Sequence, residues 1–185
     1  MDVSTTPLPG VVVLAPRRFA DHRGFFSVSW NREQMEQAGL VFDFVQDNHS
    51  LSREPGTLRG MHYQAPPHAQ TKLVRCVRGR LFDAVVDVRK GSPTYGQSFG
   101  IELTGENGLQ LLVPKGFIHG FLTLEPDTEV VYKVDSYYSP EADGSVLWSS
   151  CGIDWAYSGD PVVSDKDRDA VPFSEFDSPF EWTEQ

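Results

Sequence analysis

The sequence predicts an all-β protein, a closed sandwich or barrel of the jelly-roll kind, folded as a single domain over residues 1–185. Three observations predict it. From Val41 onward, short runs of alternating apolar and polar residues recur, as expected of strands with one buried face. Turn-forming groups separate those runs, among them Gly91-Ser92-Pro93-Thr94, Gly105-Glu106-Asn107, Pro114-Lys115-Gly116 and Pro126-Asp127. Only one stretch carries a full set of helix signals: Asn31 as N-cap, Glu33 and Gln34 in the first turn, and Gly39 as the stop. That gives one short N-terminal helix of about two turns.

Taken in order, residues 1–10 read as a loose lead-in, with Pro7, Pro9 and Gly10, before a short strand at 11–14. A turn at 21–24 runs into a strand that continues to about Trp30. After the helix, 42–48 reads as a strand and 52–56 as a loop. Residues 71–78 and 81–89 alternate around Arg78-Gly79-Arg80 and predict a hairpin. Strands follow at 98–103, 108–113, 117–124 and 129–134. Beyond Tyr138 the apolar periodicity weakens and 158–170 is polar. The aromatics Phe173, Phe176, Phe180 and Trp182 are expected to lay the C-terminal segment over the barrel.

Composition narrows the function. With 39% hydrophobic and 23% charged residues, the chain has the make-up of a soluble globular protein. No apolar run is long enough to span a bilayer, and the start lacks the charged and apolar regions of a secretory signal, so a cytoplasmic location is expected. The net charge of −10 argues against nucleic acid or an anionic membrane as partner. A small anionic ligand would need a local cluster of cations, for which Arg23, Arg59 and Lys72 are candidates. Cys76 and Cys151 lie far apart without CxxC spacing, so neither a disulfide framework nor a zinc site is indicated, and Cys76 reads as core.

One stretch concentrates chemistry. Leu58-Arg59-Gly60-Met61-His62-Tyr63-Gln64, with Gln70-Thr71-Lys72 soon after, supplies an imidazole, a guanidinium, an ammonium, a phenol and amides. An imidazole takes a proton near neutral pH, and fixed cations can hold the negative charge left behind. Such a set suits proton abstraction at carbon beside a carbonyl. Strand alternation sends His62 and Gln64 one way and Arg59 and Met61 the other, unless Gly60 marks a bulge that re-aims Arg59. A lone strand histidine is more often a hydrogen-bonded core residue, but cations beside it would then be costly to bury. His119, between Ile118 and Gly120, could ligate a metal, yet His62 has no H-x-H partner and metal binding is not expected. Tyr132, Tyr137 and Tyr138 read first as strand aromatics, and a phenol across a pocket from a base is the alternative. On composition, Asp167 reads as a solvated charge. The other possibility is a carboxylate that orients a histidine.

The strings Arg59-Gly60-Met61-His62-Tyr63-Gln64, Lys72-Leu73-Val74, Gly91-Ser92-Pro93-Thr94-Tyr95-Gly96, Gly116-Phe117-Ile118-His119-Gly120-Phe121 and Tyr132-Lys133 closely resemble the dTDP-4-dehydrorhamnose 3,5-epimerase family. Residues 19–26, 44–50 and 164–167 match it too, so the resemblance runs in order from about Val11 to Asp167. It implies a cupin-type jelly roll without metal or cofactor, acting as a homodimer whose N-terminal strands cross to the partner. It also implies inversion of C3 and C5 of a nucleotide-linked 4-keto-6-deoxyhexose. By resemblance, His62 is the base, Asp167 its orienting carboxylate, Tyr132 the acid from the opposite face, and Lys72 the cation for the enolate oxygen, with His119 nearby. Arg23, Arg59, Gln46, Asp47, Asn48 and Tyr138 would hold nucleotide and sugar, with Lys166 a further contact and Phe19 stacking on the base from the partner. Val28 stands where the family usually has Glu, a second acidic substrate contact is Asp143 instead of Glu, and 148–155 is about two residues shorter than usual. Alternatives are a single-centre epimerase, a non-catalytic sugar-nucleotide-binding cupin, and a 3,4-ketoisomerase. Tyr63 and Gln64 do not fit the paired histidines of the last.

Overall fold

In the computed structural model, which describes residues 1–183, the alternating runs become two antiparallel sheets laid face to face. The chain opens with β1 (Asp2–Thr5), β2 (Val12–Ala15) and a hairpin of β3 (Arg18–Asp21) and β4 (Gly24–Ser27). Helix α1 (Arg32–Gln37) leads to β5 (Gln46–Ser52), β6 (Leu58–Gln64), β7 (Lys72–Arg78), β8 (Arg80–Asp87) and β9 (Arg89–Lys90). Then come β10 (Ser98–Thr104), β11 (Gln110–Val113), β12 (Phe117–Thr123), β13 (Thr128–Val134) and β14 (Asp143–Ser145), with α2 (Asp165–Arg168) and β15 (Phe180–Glu181) near the end. Among the described residues one sheet runs β1-β2-β11-β7-β13-β5 and the other β10-β8-β12-β6-β14.

The sheets face each other because alternate residues of both are apolar. Val74, Cys76, Leu111, Val113 and Val130 of the first sheet meet Leu81, Val85, Leu103, Phe117 and Phe121 of the second. Removing each such side chain from water contributes roughly 1.5–3 kcal/mol. The outer faces are also covered. Met35 of α1, with Trp30, Phe42 and Phe44, packs on Leu14, Leu73 and Leu112. Cys151, Trp155, Phe176 and Phe180 pack on Met61, Ala84, Val86, Ile118 and Leu122. The aromatic tail thus lies over the second sheet, as its spacing suggested, and Trp182 ends it against the Arg89 guanidinium at 4.3 Å. No helix among the described residues is long and apolar enough to cross a membrane.

Several expectations need correction. Residues 2–5 are not loose, because they pair with β2 to form an edge of the first sheet. The β4 strand stops at Ser27, short of Trp30, which packs edge-to-face with Phe44. Phe42 and Phe44 lie outside β5, where Met35 and Trp30 need apolar cover more than the sheet needs longer pairing. β7 and β8 do not form a hairpin: β7 pairs with β11 and β13, and β8 with β10 and β12. Gly79, at φ +76°, carries the chain from one sheet to the other. A tight turn is the same local signal in both cases, and alternation does not say which strand is the partner. The helix at Asn31 is as expected, its side chain accepting from the Gln34 N–H at 3.0 Å. A second helix, α2, was not expected. It is one turn long, capped by Ser164, and all four of its residues are charged, the buried Asp167 included, so it lacks an apolar stripe.

Candidate active site

Between the sheets lies a cavity of about 500 Å³, lined from both. From the second sheet come Arg59 and His62 of β6 and His119 and Phe121 of β12, and from the first come Ser50 of β5, Lys72 of β7 and Tyr132 of β13. Lys166 and Asp167 of α2 close it from the side.

Strand β6 reaches the cavity with two residues three apart, which plain alternation forbids. His62 pairs with His119 and Arg59 with Phe121, so Gly60 and Met61 together oppose Gly120: a bulge. Gly60 sits at φ +144°, and a Cβ there would come within 2.5 Å of Gly120 Cα and 3.0 Å of the His119 carbonyl oxygen. A Cβ on Gly120 would meet Met61 Sδ at 2.8 Å and the Arg59 carbonyl at 2.9 Å. Two glycines are therefore required where the strands nearly touch. The bulge places His62 and Arg59 on one face, as the alternative reading of Gly60 proposed.

His62 Nε2 lies 2.6 Å from Asp167 Oδ1, and Asp167 is only 3% exposed. Burial pushes the Asp167 carboxyl up. The bonds from His62, the Gly60 N–H and Ser164 more than offset this and hold it below the usual carboxylate range. An ionised carboxylate only accepts, so Nε2 carries the hydrogen and Nδ1 keeps its lone pair. That is the arrangement of a general base. Replacing Asp167 by Asn is expected to lower kcat by about 10²–10⁴-fold with little change in KM, because the amide no longer enforces the tautomer. Ionised Asp167 also adds stability above the ordinary carboxylate range that is lost as pH falls through its lowered pKa. Urea melts at acidic and neutral pH should therefore show the Asn variant losing less stability than the wild type on acidification.

Facing His62 from the other sheet are Tyr132 and Lys72. Both point inward with Val74 and Val130, since they alternate with Leu73 and Lys133. Burial raises the Tyr132 pKa against the lowering pull of Arg59, so at neutral pH it is a phenol with a proton to give. Burial pushes Lys72 down to about 8, with Asp83 and Asp143 pulling the other way. Its ammonium makes no hydrogen bond to the described residues, which leaves three donors for a ligand. In the wall itself, His119 Nε2 meets the fully buried Asp83 Oδ1 at 2.8 Å, a second imidazole–carboxylate pair beyond the sequence reading. Its signal was present in Leu81-Phe82-Asp83-Ala84-Val85, where an Asp falls between two apolar residues of one strand face.

The remaining expected residues divide into three groups. Gln46 and Asn48 share the inner face of β5, joined by a 2.8 Å bond, with Asn48 directly opposite Tyr132. Asp47 points the other way and pairs with Lys133 at 2.8 Å, so the structure does not bring it to the cavity. Tyr138 donates to Asp143 at 3.2 Å, and Lys166 bonds the same carboxylate oxygen, which forms a rim cluster. Phe19 and Arg23 sit on the β3–β4 hairpin, away from the cavity of their own chain. Phe19 lies beside Arg17, while Arg23 pairs with Asp21. Val28 lines a separate hollow with Phe19 and Gln34. Among the described residues no three His, Cys, Asp or Glu side chains converge as a ligand set.

An imidazole on one sheet thus faces an ammonium and a phenol on the other, at positions 62, 72 and 132 of the chain. Residues 5–175 match the model for dTDP-4-dehydrorhamnose 3,5-epimerase. The chain belongs to that family. It is 47% identical over 180 residues to the dTDP-4-dehydrorhamnose 3,5-epimerase of Shigella flexneri, covering 96% of this chain and 98% of that one. Its fold is similar to a dTDP-6-deoxy-D-glucose-3,5-epimerase from Legionella pneumophila, solved with dTDP-4-keto-L-rhamnose. The TM-score there is 0.94, at 37% identity over 100% of this chain and 99% of that one. It is also similar to the Bacillus anthracis dTDP-4-dehydrorhamnose 3,5-epimerase solved with TDP and PPi. That match has a TM-score of 0.90 and 48% identity, covering 93% of this chain and 99% of that one. The jelly roll is therefore that of the family, with its C-terminal segment packed over the second sheet.

Proposed function

We propose that this protein inverts C3 and C5 of dTDP-4-dehydro-6-deoxy-D-glucose to give dTDP-4-dehydro-L-rhamnose. The observation that carries this reading is the placement of His62 and Tyr132 on opposing sheets of one cavity, with Lys72 beside Tyr132. Both C3 and C5 flank the C4 ketone, so loss of either proton gives an enolate whose charge rests on the C4 oxygen. His62 takes the proton and becomes an imidazolium stabilised by Asp167. Lys72 holds the charge on oxygen. Tyr132 returns a proton from the other face and so inverts the carbon. Side chains supply base, acid and cation, and the reaction needs no cofactor.

The cations that line the cavity, Arg59, Lys72 and Lys166, let a chain of net charge −10 accept an anionic sugar nucleotide. Gln46, Asn48, Tyr138, Asp143 and His119 complete the substrate contacts, and Asp47, facing outward, has no part in them within its own chain. Phe19 and Arg23 reach a cavity only by crossing to a second copy. In support, the β3–β4 hairpin exposes Phe19, Phe25 and Phe26 at 52%, 58% and 67%, more apolar surface than a free hairpin ordinarily shows. The working form is accordingly a homodimer with exchanged N-terminal strands, acting in the cytoplasm as one catalytic domain per chain.

Incubation with dTDP-4-keto-6-deoxy-D-glucose in D₂O, read by NMR, tests this directly. Deuterium is expected at both C3 and C5. Label at one carbon alone would make the protein a single-centre epimerase, and binding without label would leave a sugar-nucleotide-binding module.

A further inference from the structure

One buried hydroxyl in the cavity wall has no partner among the described residues. Ser50 lies on the inner face of β5, opposite Val130 and diagonal to Tyr132, whose direct partner is Asn48. Its Oγ is buried and makes no hydrogen bond to any described residue. The neighbouring polar groups are occupied: Ser52 Oγ accepts from Arg59 Nε at 3.3 Å, and the Leu51 carbonyl accepts from Arg59 Nη2 at the same distance. A buried hydroxyl left unpaired destabilises the free protein, and an alanine would fill the place without that cost. A rule of folding broken at a ligand cavity points to the ligand.

We propose that Ser50 hydrogen-bonds the C2 hydroxyl of the bound sugar and thereby sets a preference for 2-hydroxy over 2-deoxy substrates. The inference rests on the epimerase reading for the identity of the sugar. A 4-keto-6-deoxyhexose offers three oxygens besides the ring and glycosidic ones. The C4 oxygen gathers charge and belongs to Lys72. The C3 hydroxyl moves from one face of the ring to the other during turnover, so a fixed wall group cannot hold it in both substrate and product. The C2 hydroxyl keeps its configuration throughout. It also neighbours C1, which bears the diphosphate, and Arg59, the guanidinium suited to that diphosphate, is anchored on the two residues after Ser50. The Ser50 oxygen is buried in the free protein, so contact with the ligand requires a change of χ1 rotamer.

The test uses two unreactive ligands, dTDP-6-deoxy-D-glucose and its 2-deoxy counterpart, with calorimetric Kd values for the wild-type protein and Ser50→Ala. The wild type is expected to bind the 2-hydroxy ligand about 10-fold more tightly, in line with one neutral hydrogen bond. Ser50→Ala should lose that factor on the 2-hydroxy ligand, keep its affinity for the 2-deoxy one, and melt no lower than the wild type. Equal affinities in the wild type overturn the proposal without reference to any variant. So do equal losses on both ligands, or a lowered Tm with no change in preference. Deuterium labelling in the same preparations separates the two levels. Affinities that follow the expected pattern without labelling would sink the epimerase reading and keep the subsite, whereas labelling with a flat pattern would do the reverse.

Discussion

His62→Ala is expected to lower kcat/KM by about 10²–10⁴-fold, the contribution of a positioned base, and to remove deuterium incorporation at C3 and C5 together. The two losses are linked because both carbons share one enolate oxygen and one imidazole. Affinity for dTDP should change little, since His62 approaches the ring and not the diphosphate. Some stability is lost with the imidazole, because the buried Asp167 keeps only the weaker Gly60 N–H and Ser164 contacts in place of its closest partner. A pre-steady-state trace in D₂O separates the outcomes. Loss at C5 with labelling retained at C3 would mean that a second base serves C3, and His119, in register with His62, would be the group to remove next.

Lys72→Met, which keeps the length of the side chain and deletes its charge, is expected to cost about 10²–10³-fold in kcat while KM changes far less. The charge that Lys72 meets exists only after the proton has gone, so the interaction strengthens along the reaction and not on binding. The wild-type pH profile carries the same signature. Burial sets Lys72 at about 8, and its ammonium is the active form, so kcat/KM should fall as pH rises through about 8. In the bound complex the substrate's phosphates favour the ammonium, and the limb in kcat should lie higher. In Lys72→Met the limb should vanish. Its persistence would assign it to another group.

Much of the site was legible in the sequence because its residues are packed densely along the chain. Arg59, His62 and Lys72 fall within one strand and the start of the next, and the Gly60 bulge could be proposed from a glycine in an otherwise regular strand. The pairing of β7 was not legible. A glycine turn joins neighbours in a hairpin and strands of opposite sheets equally well, and only the tertiary contacts of Val74 and Cys76 decide between them. Asp167 was legible by resemblance alone, since its helix is a single polar turn whose one buried residue has no periodic signal. Asp47 shows the converse. It lies in a string shared with the family, yet strand alternation turns it outward to Lys133 while Gln46 and Asn48 share the inner face with Ser50. The hairpin carrying Phe19 and Arg23 could be read as a hairpin, but where it goes depends on a second chain.

The glycine pair at positions 60 and 120 bears on how this enzyme can be altered. Arg59, His62 and His119 are all aimed by one backbone contact that leaves no room for a Cβ on either side. These three groups therefore share a common mount, and no substitution at the pair can adjust one of them alone. Variation that retunes the pocket for another sugar should accumulate on β5 and around the rim, at Ser50, Tyr138 and Asp143, where a side chain can change without moving the strands that aim Arg59, His62 and His119. Directed evolution should follow the same division, with positions 60 and 120 held as glycine in every active library member.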